Sequence, residues 1–198
     1  MSKPSRPLEV SVKPLQIETI KVRIRGTSDL IMHAWSEKAR KQMEEAQQGK
    51  SRTKKPPRVP DEEREAALYK MPDGRPAFPS RGFKTAIVDA CRLLDILPMV
   101  TAKVSLHVLG DMVPIEGERY DRTDHVRLEG GTASIAYRPA FRGWSATLPI
   151  TFVVNVLTAE QVVNLVNAGG LCGVGEWRPS CPKGKSGTFG MFEVVTDE

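Results

Sequence analysis

Apolar and polar residues alternate along QIETIKVRIRG, residues 16–26, most regularly from Ile20 to Arg25. Ile20, Val22 and Ile24 fall on one side, and Lys21, Arg23 and Arg25 on the other. Period-two alternation predicts a half-buried strand, here with a basic open face. The pattern recurs in TAKVSLHVLG (101–110), where Val104, Leu106 and Val108 oppose Lys103, Ser105 and His107. It recurs again in WSATLPITFVVNVL (144–157), with Leu148, Ile150, Phe152, Val154 and Val156 aligned. TFGMFEVV (188–195) reads as a last, short strand.

Helical spacing fills the gaps between these strands. In PSRGFKTAIVDACRLLDILP (79–98), Phe83, Ile87, Ala90, Cys91, Leu94 and Leu97 form one stripe. Ser80 is the expected cap and Pro98 the expected stop. TAEQVVNLVNAGG (158–170) opens on a capping box, Thr158 to Gln161, and is expected to close at Gly169. Two weaker helices are predicted, SEKARKQMEEAQQ capped by Ser36 and DEEREAALY, followed by a tight hairpin around Asp73-Gly74. Residues 110–143 break into strand-like pieces, read as an extended hairpin rich in arginine: Arg119, Arg122, Arg127, Arg138 and Arg142.

Without its insertions the order is strand, helix, strand, strand, helix, strand. That order predicts an α+β protein with a ferredoxin-like, RRM-like sheet, both helices on one face and the other face open. The expected organisation is a loose arm over 1–14 and one domain over 15–198, with insertions at 27–77 and 110–143.

Charge sharpens this picture. The 198 residues carry a net charge of +5, which permits a polyanionic partner without proving one. Lys50, Arg52, Lys54, Lys55 and Arg58 crowd a proline-rich linker, expected to be exposed and mobile. Like charges at alternate positions of an open sheet repel one another, so Lys21, Arg23 and Arg25, with Lys103, point to an anionic partner. The hairpin arginines have acids beside them (Glu116, Glu118, Asp121, Asp124) that could pair with them instead. No apolar leader or membrane-length apolar run occurs, and three cysteines without framework spacing (Cys91, Cys172, Cys181) suit a reducing cytoplasm. Cys172 and Cys181 have no zinc-ligand spacing.

The stretch GGLCGVGEWRPSCPKGKSGTFGMFEV (169–194) combines many glycines with Arg178, Lys183 and Lys185. It fails as a Walker loop, because Pro179 occupies the first glycine position and a strand follows. It fails as a dinucleotide fingerprint, because Arg178 occupies the third glycine position. It is one residue out of register with an RNP1 motif, and the open strands lack stacking aromatics. No cofactor or metal is therefore expected. Trp177 could stack a base or pack under the loop.

A glycine-rich loop between the second helix and last strand of such a fold resembles the RAMP superfamily, the repeat-associated proteins of CRISPR effector complexes. PAFPSRGFKTAIVDACR is similar to the segment that opens the first helix in that superfamily, here Phe78 to Ala86 with Arg81 and Lys84. The C-terminal GEWRP…FGMFEV pattern is also similar to that of small bacteriophage proteins. The resemblance implies a relative of the backbone subunit that polymerises along guide RNA, with the two insertions helping to hold the strand. Its RNA-processing members use a histidine after the first strand as general acid/base. His33, with Asp29 and Arg81 near it in sequence or motif, is the candidate here; a structural histidine beside Met32 and Trp35 is the plainer reading. Target-cleaving members carry an aspartate in the first insertion, where this chain has only Asp61 at the end of its loop. The expectation is a non-catalytic protein that binds single-stranded RNA or DNA and assembles with itself along the strand; the alternatives are an RNA endonuclease using His33 and a phage structural or CRISPR-subunit-mimicking interaction protein.

Overall fold

A computed structural model describes residues 14–49, 57–127, 130–181 and 186–196. In chain order the elements are β1 (Ile17–Gly26), β2 (Leu30–Ile31), α1 (Glu37–Gln47), α2 (Pro60–Ala66), β3 (Ala77–Pro79) and α3 (Ser80–Leu93). There follow α4 (Met99–Ser105), β4 (Leu106–Val108), β5 (Met112–Pro114), β6 (Glu116–Arg127), β7 (Ala133–Val153), α5 (Ala159–Cys172) and β8 (Phe192–Val194). The predicted arm over 1–14 and the basic linker lie almost wholly outside the described residues.

The protein is α+β, with a six-stranded sheet in which every described pairing is antiparallel and a second, two-stranded sheet, β3–β5. β7 is the spine of the larger sheet. Its second half pairs with β1 from Arg25↔Ser145 to Ile17↔Val153, and on its other edge with β4. β8 joins the free edge of β1, with Gly26 opposite Phe192. The first half of β7 carries β6 and the short β2. The second arm of the hairpin and the third core strand of the sequence reading are thus one continuous 21-residue strand.

The alternation in β1 holds: Val22 and Ile24 are buried, and Lys21, Arg23 and Arg25 are exposed. Leu148, Ile150 and Phe152 of β7 are buried with them. Against these side chains lie Phe83, Ile87, Ala90 and Cys91 of α3 and Val162, Leu165 and Val166 of α5. Each large apolar side chain so buried contributes about 1.5–3 kcal/mol. Phe83, Trp144 and Phe192 pack with ring centroids 6.0–6.5 Å apart, and the Trp144 indole donates to the Ser28 carbonyl at 2.8 Å.

Several expectations are corrected. Residues 101–105 belong to helix α4, and only Leu106–Val108 is strand. Met99, Ala102 and Ser105 recur at helical spacing, and Ala102 and Ser105 are buried while Val104 is exposed. Small inward residues thereby override the alternation. Lys103 consequently sits on α4, not on the open sheet face. α3 ends at Leu93, five residues before Pro98. Asp95 takes the left-handed conformation (φ 51°), and the Ile96 N–H bonds the Cys91 carbonyl at 3.1 Å, a Schellman closure. Pro98 instead precedes α4. Pro79, not Ser80, holds the cap position of α3. The buried Ser80 hydroxyl donates to the carbonyls of Gly110 and Asp111, tying α3 to the loop before β5. The third strand stops at Val153, and Val156 is exposed.

The capping box of α5 forms as expected, but the helix runs through Gly169 and Gly170 to Cys172. These two glycines are packing sites. A side chain at 169 would press on the Ile87 backbone in α3, and one at 170 would overlap the Phe192 carbonyl of β8. Two α1/α2 predictions hold: Ser36 caps α1 by accepting from Ala39 N at 3.1 Å, and α2 forms within DEEREAALY with Pro60 added before it. α2 packs on the hairpin, where Arg58 and Arg64 lie over the Tyr137 ring at 5.3 and 5.2 Å.

Candidate nucleic-acid interface

The strand register places Lys21, Arg23 and Arg25 beside Pro149, Thr147 and Ser145 of β7, none of them acidic. Arg25 is paired with Glu193 of β8, Nε to Oε1 2.6 Å. Lys21 and Arg23 have no acidic partner among the described residues. Alternate positions on a strand stand about 7 Å apart. At that spacing two cations repel by roughly 0.6 kcal/mol even in water, so an anion on this face relieves a real if modest cost.

Arg81 and Arg178 converge elsewhere. Arg81 lies in the first turn of α3, on the helical side of the sheet, and Arg178 in the loop after α5. With His33, Tyr69, Thr85 and Glu176 they line a cleft of about 260 Å³. Arg178 donates from Nη1 to the Gly175 carbonyl at 3.0 Å, and Arg81 has no acidic partner among the described residues. His33 follows β2 and is half-exposed; its Nδ1 stands 3.1 Å from Glu176 Oε1. The Tyr69 hydroxyl donates to the His33 carbonyl at 3.2 Å. The two partners named for His33 divide: Arg81 shares its cleft, whereas Asp29 accepts from the Tyr120 hydroxyl at 2.6 Å.

Lys84 has a structural role. Its ammonium donates to the Lys103 carbonyl at 2.8 Å and lies 2.8 Å from His107 Nδ1, bracing α3 against α4 and β4. Burial pushes its pKa below the usual lysine value. The predicted cations therefore fall into three groups, and the structure does not join them into one patch. Lys50, Arg52, Lys54, Lys55, Lys183 and Lys185 lie outside the described residues.

The glycine stretch folds onto itself. Val174 N–H bonds Gly190 O, Glu176 N–H bonds Ile31 O, Phe189 N–H bonds Trp177 O, and Gly190 N–H bonds Asp29 O. These donors are spent within the protein, so they do not face a phosphate. Gly190 sits at φ 66° with no room for a side chain against Val174. Trp177 packs: its ring lies 5.1 Å from the Arg138 guanidinium, 5.9 Å from that of Arg122, and 6.0 Å from Phe189. Its backbone is left-handed, φ 52°, an uncommon state for a bulky residue.

Much of the hairpin charge is internally paired. Arg122 bonds Asp124 at 2.9 Å, and Arg119 bonds Glu65 at 3.0 Å. Two features were missed in the sequence. Glu176 bridges His33 and Arg138, with Oε2 3.6 Å from Arg138 Nη2. A second cleft, of about 670 Å³, opens between α1, α2 and the hairpin. Neither carries a local sequence signal, because each joins segments far apart in the chain, His33 and Glu176 by 143 residues. Among the described residues no group of three or more His, Cys, Asp or Glu could hold a metal, and no helix is long and apolar enough to cross a membrane. Burial pushes the Cys91 and Cys172 thiols above the usual range.

No protein-family model matches this chain, and no curated protein matches it.

Proposed function

We propose that this protein binds single-stranded nucleic acid, RNA or DNA, across the open face of its sheet, without catalysis, and assembles with copies of itself along the strand. The observation that carries this reading is the pair Lys21 and Arg23, exposed on a sheet face with no acidic partner among the described residues. Phosphates are the natural counterpart of cations at strand spacing. Supporting a ferredoxin-like, RAMP-like core is the pairing order β4–β7–β1–β8, with α3 between β1 and β4 in sequence and α5 between β7 and β8. Supporting self-assembly are the exposed Leu93, Leu94, Ile96, Val100 and Val104 around the α3–α4 corner, an apolar surface suited to a protein contact.

The test is affinity for a labelled oligonucleotide across a salt series. Wild-type affinity falls steeply with salt, by a log–log slope of about 0.7 per phosphate contacted. Lys21→Glu with Arg23→Glu lowers both the affinity and the slope. Unchanged values in that double variant would overturn the open-face reading.

The pairing of half-exposed His33 with Glu176, in a cleft that also holds Arg81 and Arg178, favours a second reading, an RNA endonuclease. Cleavage of labelled RNA that disappears in His33→Ala would support it. No cleavage by the wild type would remove it.

A further inference from the structure

We infer that the cleft lined by His33, Tyr69, Arg81, Glu176 and Arg178 binds a phosphate monoester, held by the guanidinium groups of Arg81 and Arg178. The cleft lies on the helical side of the sheet, between α3 and the loop after α5, and not on the face that carries Lys21 and Arg23. Its volume, about 260 Å³, is below the usual range of about 300–1,000 Å³ for a small-molecule site. That space suits a phosphate with a small substituent.

Charge carries the argument. Arg81 is exposed in the cleft and makes no ion pair among the described residues. Its charge reaches the Tyr69 phenol, whose hydroxyl donates to the His33 carbonyl within the same cleft: burial raises the Tyr69 pKa, and Arg81 opposes that rise. Arg178 is half-buried and also makes no ion pair among the described residues. Its Nη1 donates to the Gly175 carbonyl at 3.0 Å, and its other two nitrogens, unlike those of Arg138, are not sealed from solvent. Glu176 is the one acid lining the cleft among the described residues. Its oxygens meet His33 Nδ1 at 3.1 Å and Arg138 Nη2 at 3.6 Å, and it forms no ion pair with Arg81 or Arg178. Arg138 balances that carboxylate, so the charges of Arg81 and Arg178 remain. A phosphate monoester carries about −1.5 to −2 at pH 7 and matches them, whereas a phosphate inside a strand carries a single charge. Guanidinium groups meet phosphate oxygens in bidentate pairs, which fixes the orientation of the group they hold.

The monoester has two sources, a free sugar phosphate and the phosphorylated end of a strand; only the second rests on the proposed function, and neither requires cleavage by His33. Calorimetric titration with ribose 5-phosphate, with ribose, and with one oligonucleotide carrying a 5′-phosphate or a 5′-hydroxyl separates them. Arg81→Gln changes an exposed side chain without an ion pair and leaves folding intact. Arg178→Gln also loses the bond to Gly175, so it is read beside Arg81→Gln only if its melting curve remains cooperative. Ribose 5-phosphate that binds the wild type, and binds Arg81→Gln at least tenfold more weakly, identifies a free monoester, with ribose itself not bound. No ribose 5-phosphate binding, with the 5′-phosphate strand bound at least tenfold more tightly than the 5′-hydroxyl strand and that preference lost in Arg81→Gln, identifies a strand end. Absence of both effects in the wild type overturns the inference, and so does binding or preference that Arg81→Gln leaves unchanged. Failure of the sheet-face reading is seen in a different protein: Lys21→Glu with Arg23→Glu would then bind the 5′-hydroxyl strand as the wild type does.

Discussion

Gly170 of α5 lies against the carbonyl of Phe192 so closely that a methyl group at 170 would overlap that oxygen. The contact seats the last strand on the last helix, and Phe192 in turn packs on Phe83 and Trp144. Gly170→Ala gains up to about 1 kcal/mol of helix propensity. It must also push β8 away, and overpacking of this kind costs about 3 kcal/mol. Net destabilisation by about 2 kcal/mol is expected in urea unfolding. Gly130→Ala, where a side chain meets open space, is the control and shifts stability by less than about 0.5 kcal/mol.

The left-handed Asp95 that closes α3 gives a test of opposite sign. Asp95→Gly removes the strain on a side-chain-bearing residue at φ 51° and raises stability by about 0.5 kcal/mol. Asp95→Ala lowers it by about 1 kcal/mol. Thermal unfolding of the two variants should bracket the wild type; the reverse order would contradict the Schellman closure.

Lys84 and Arg23 should separate stability from binding. Lys84→Met removes an ammonium bond to the Lys103 carbonyl, a loss of about 1 kcal/mol at a partly exposed site. Its oligonucleotide affinity should be within twofold of wild type. Arg23→Glu does the converse, with weaker binding and unchanged unfolding.

Glu65 makes the insertion sensitive to acid. Its hydrogen bond to Lys70, and then that to Arg119 of β6, hold its pKa below the ordinary value of 4.5. A carboxylate depressed in this way contributes stability above that value and loses it as pH falls through the folded pKa. Stability should therefore decline below about pH 4.5, and Glu65→Gln should flatten part of that decline. The effect is small, because the pair is largely exposed. Equal acid profiles for wild type and Glu65→Gln would remove Glu65 as a source.

The sequence by itself determined what depends on neighbours along the chain. The alternation of Ile20, Val22 and Ile24 with Lys21, Arg23 and Arg25 fixed both faces of β1, and local caps at Ser36 and Thr158 set the starts of two helices. Period and capping act over a few residues, so they are legible there. Only the tertiary structure decided the rest. Val104 alternates like a strand residue yet is exposed on α4, because packing selected the helical phase of Ala102 and Ser105. Gly169 reads as a helix stop yet lies inside α5, because Ile87 of α3 must come close. Glu176 and His33 meet across 143 residues, and Arg138 is left buried beside them with two nitrogens unmatched. Such contacts are set by which surfaces the folded chain presses together, and no local pattern encodes that choice.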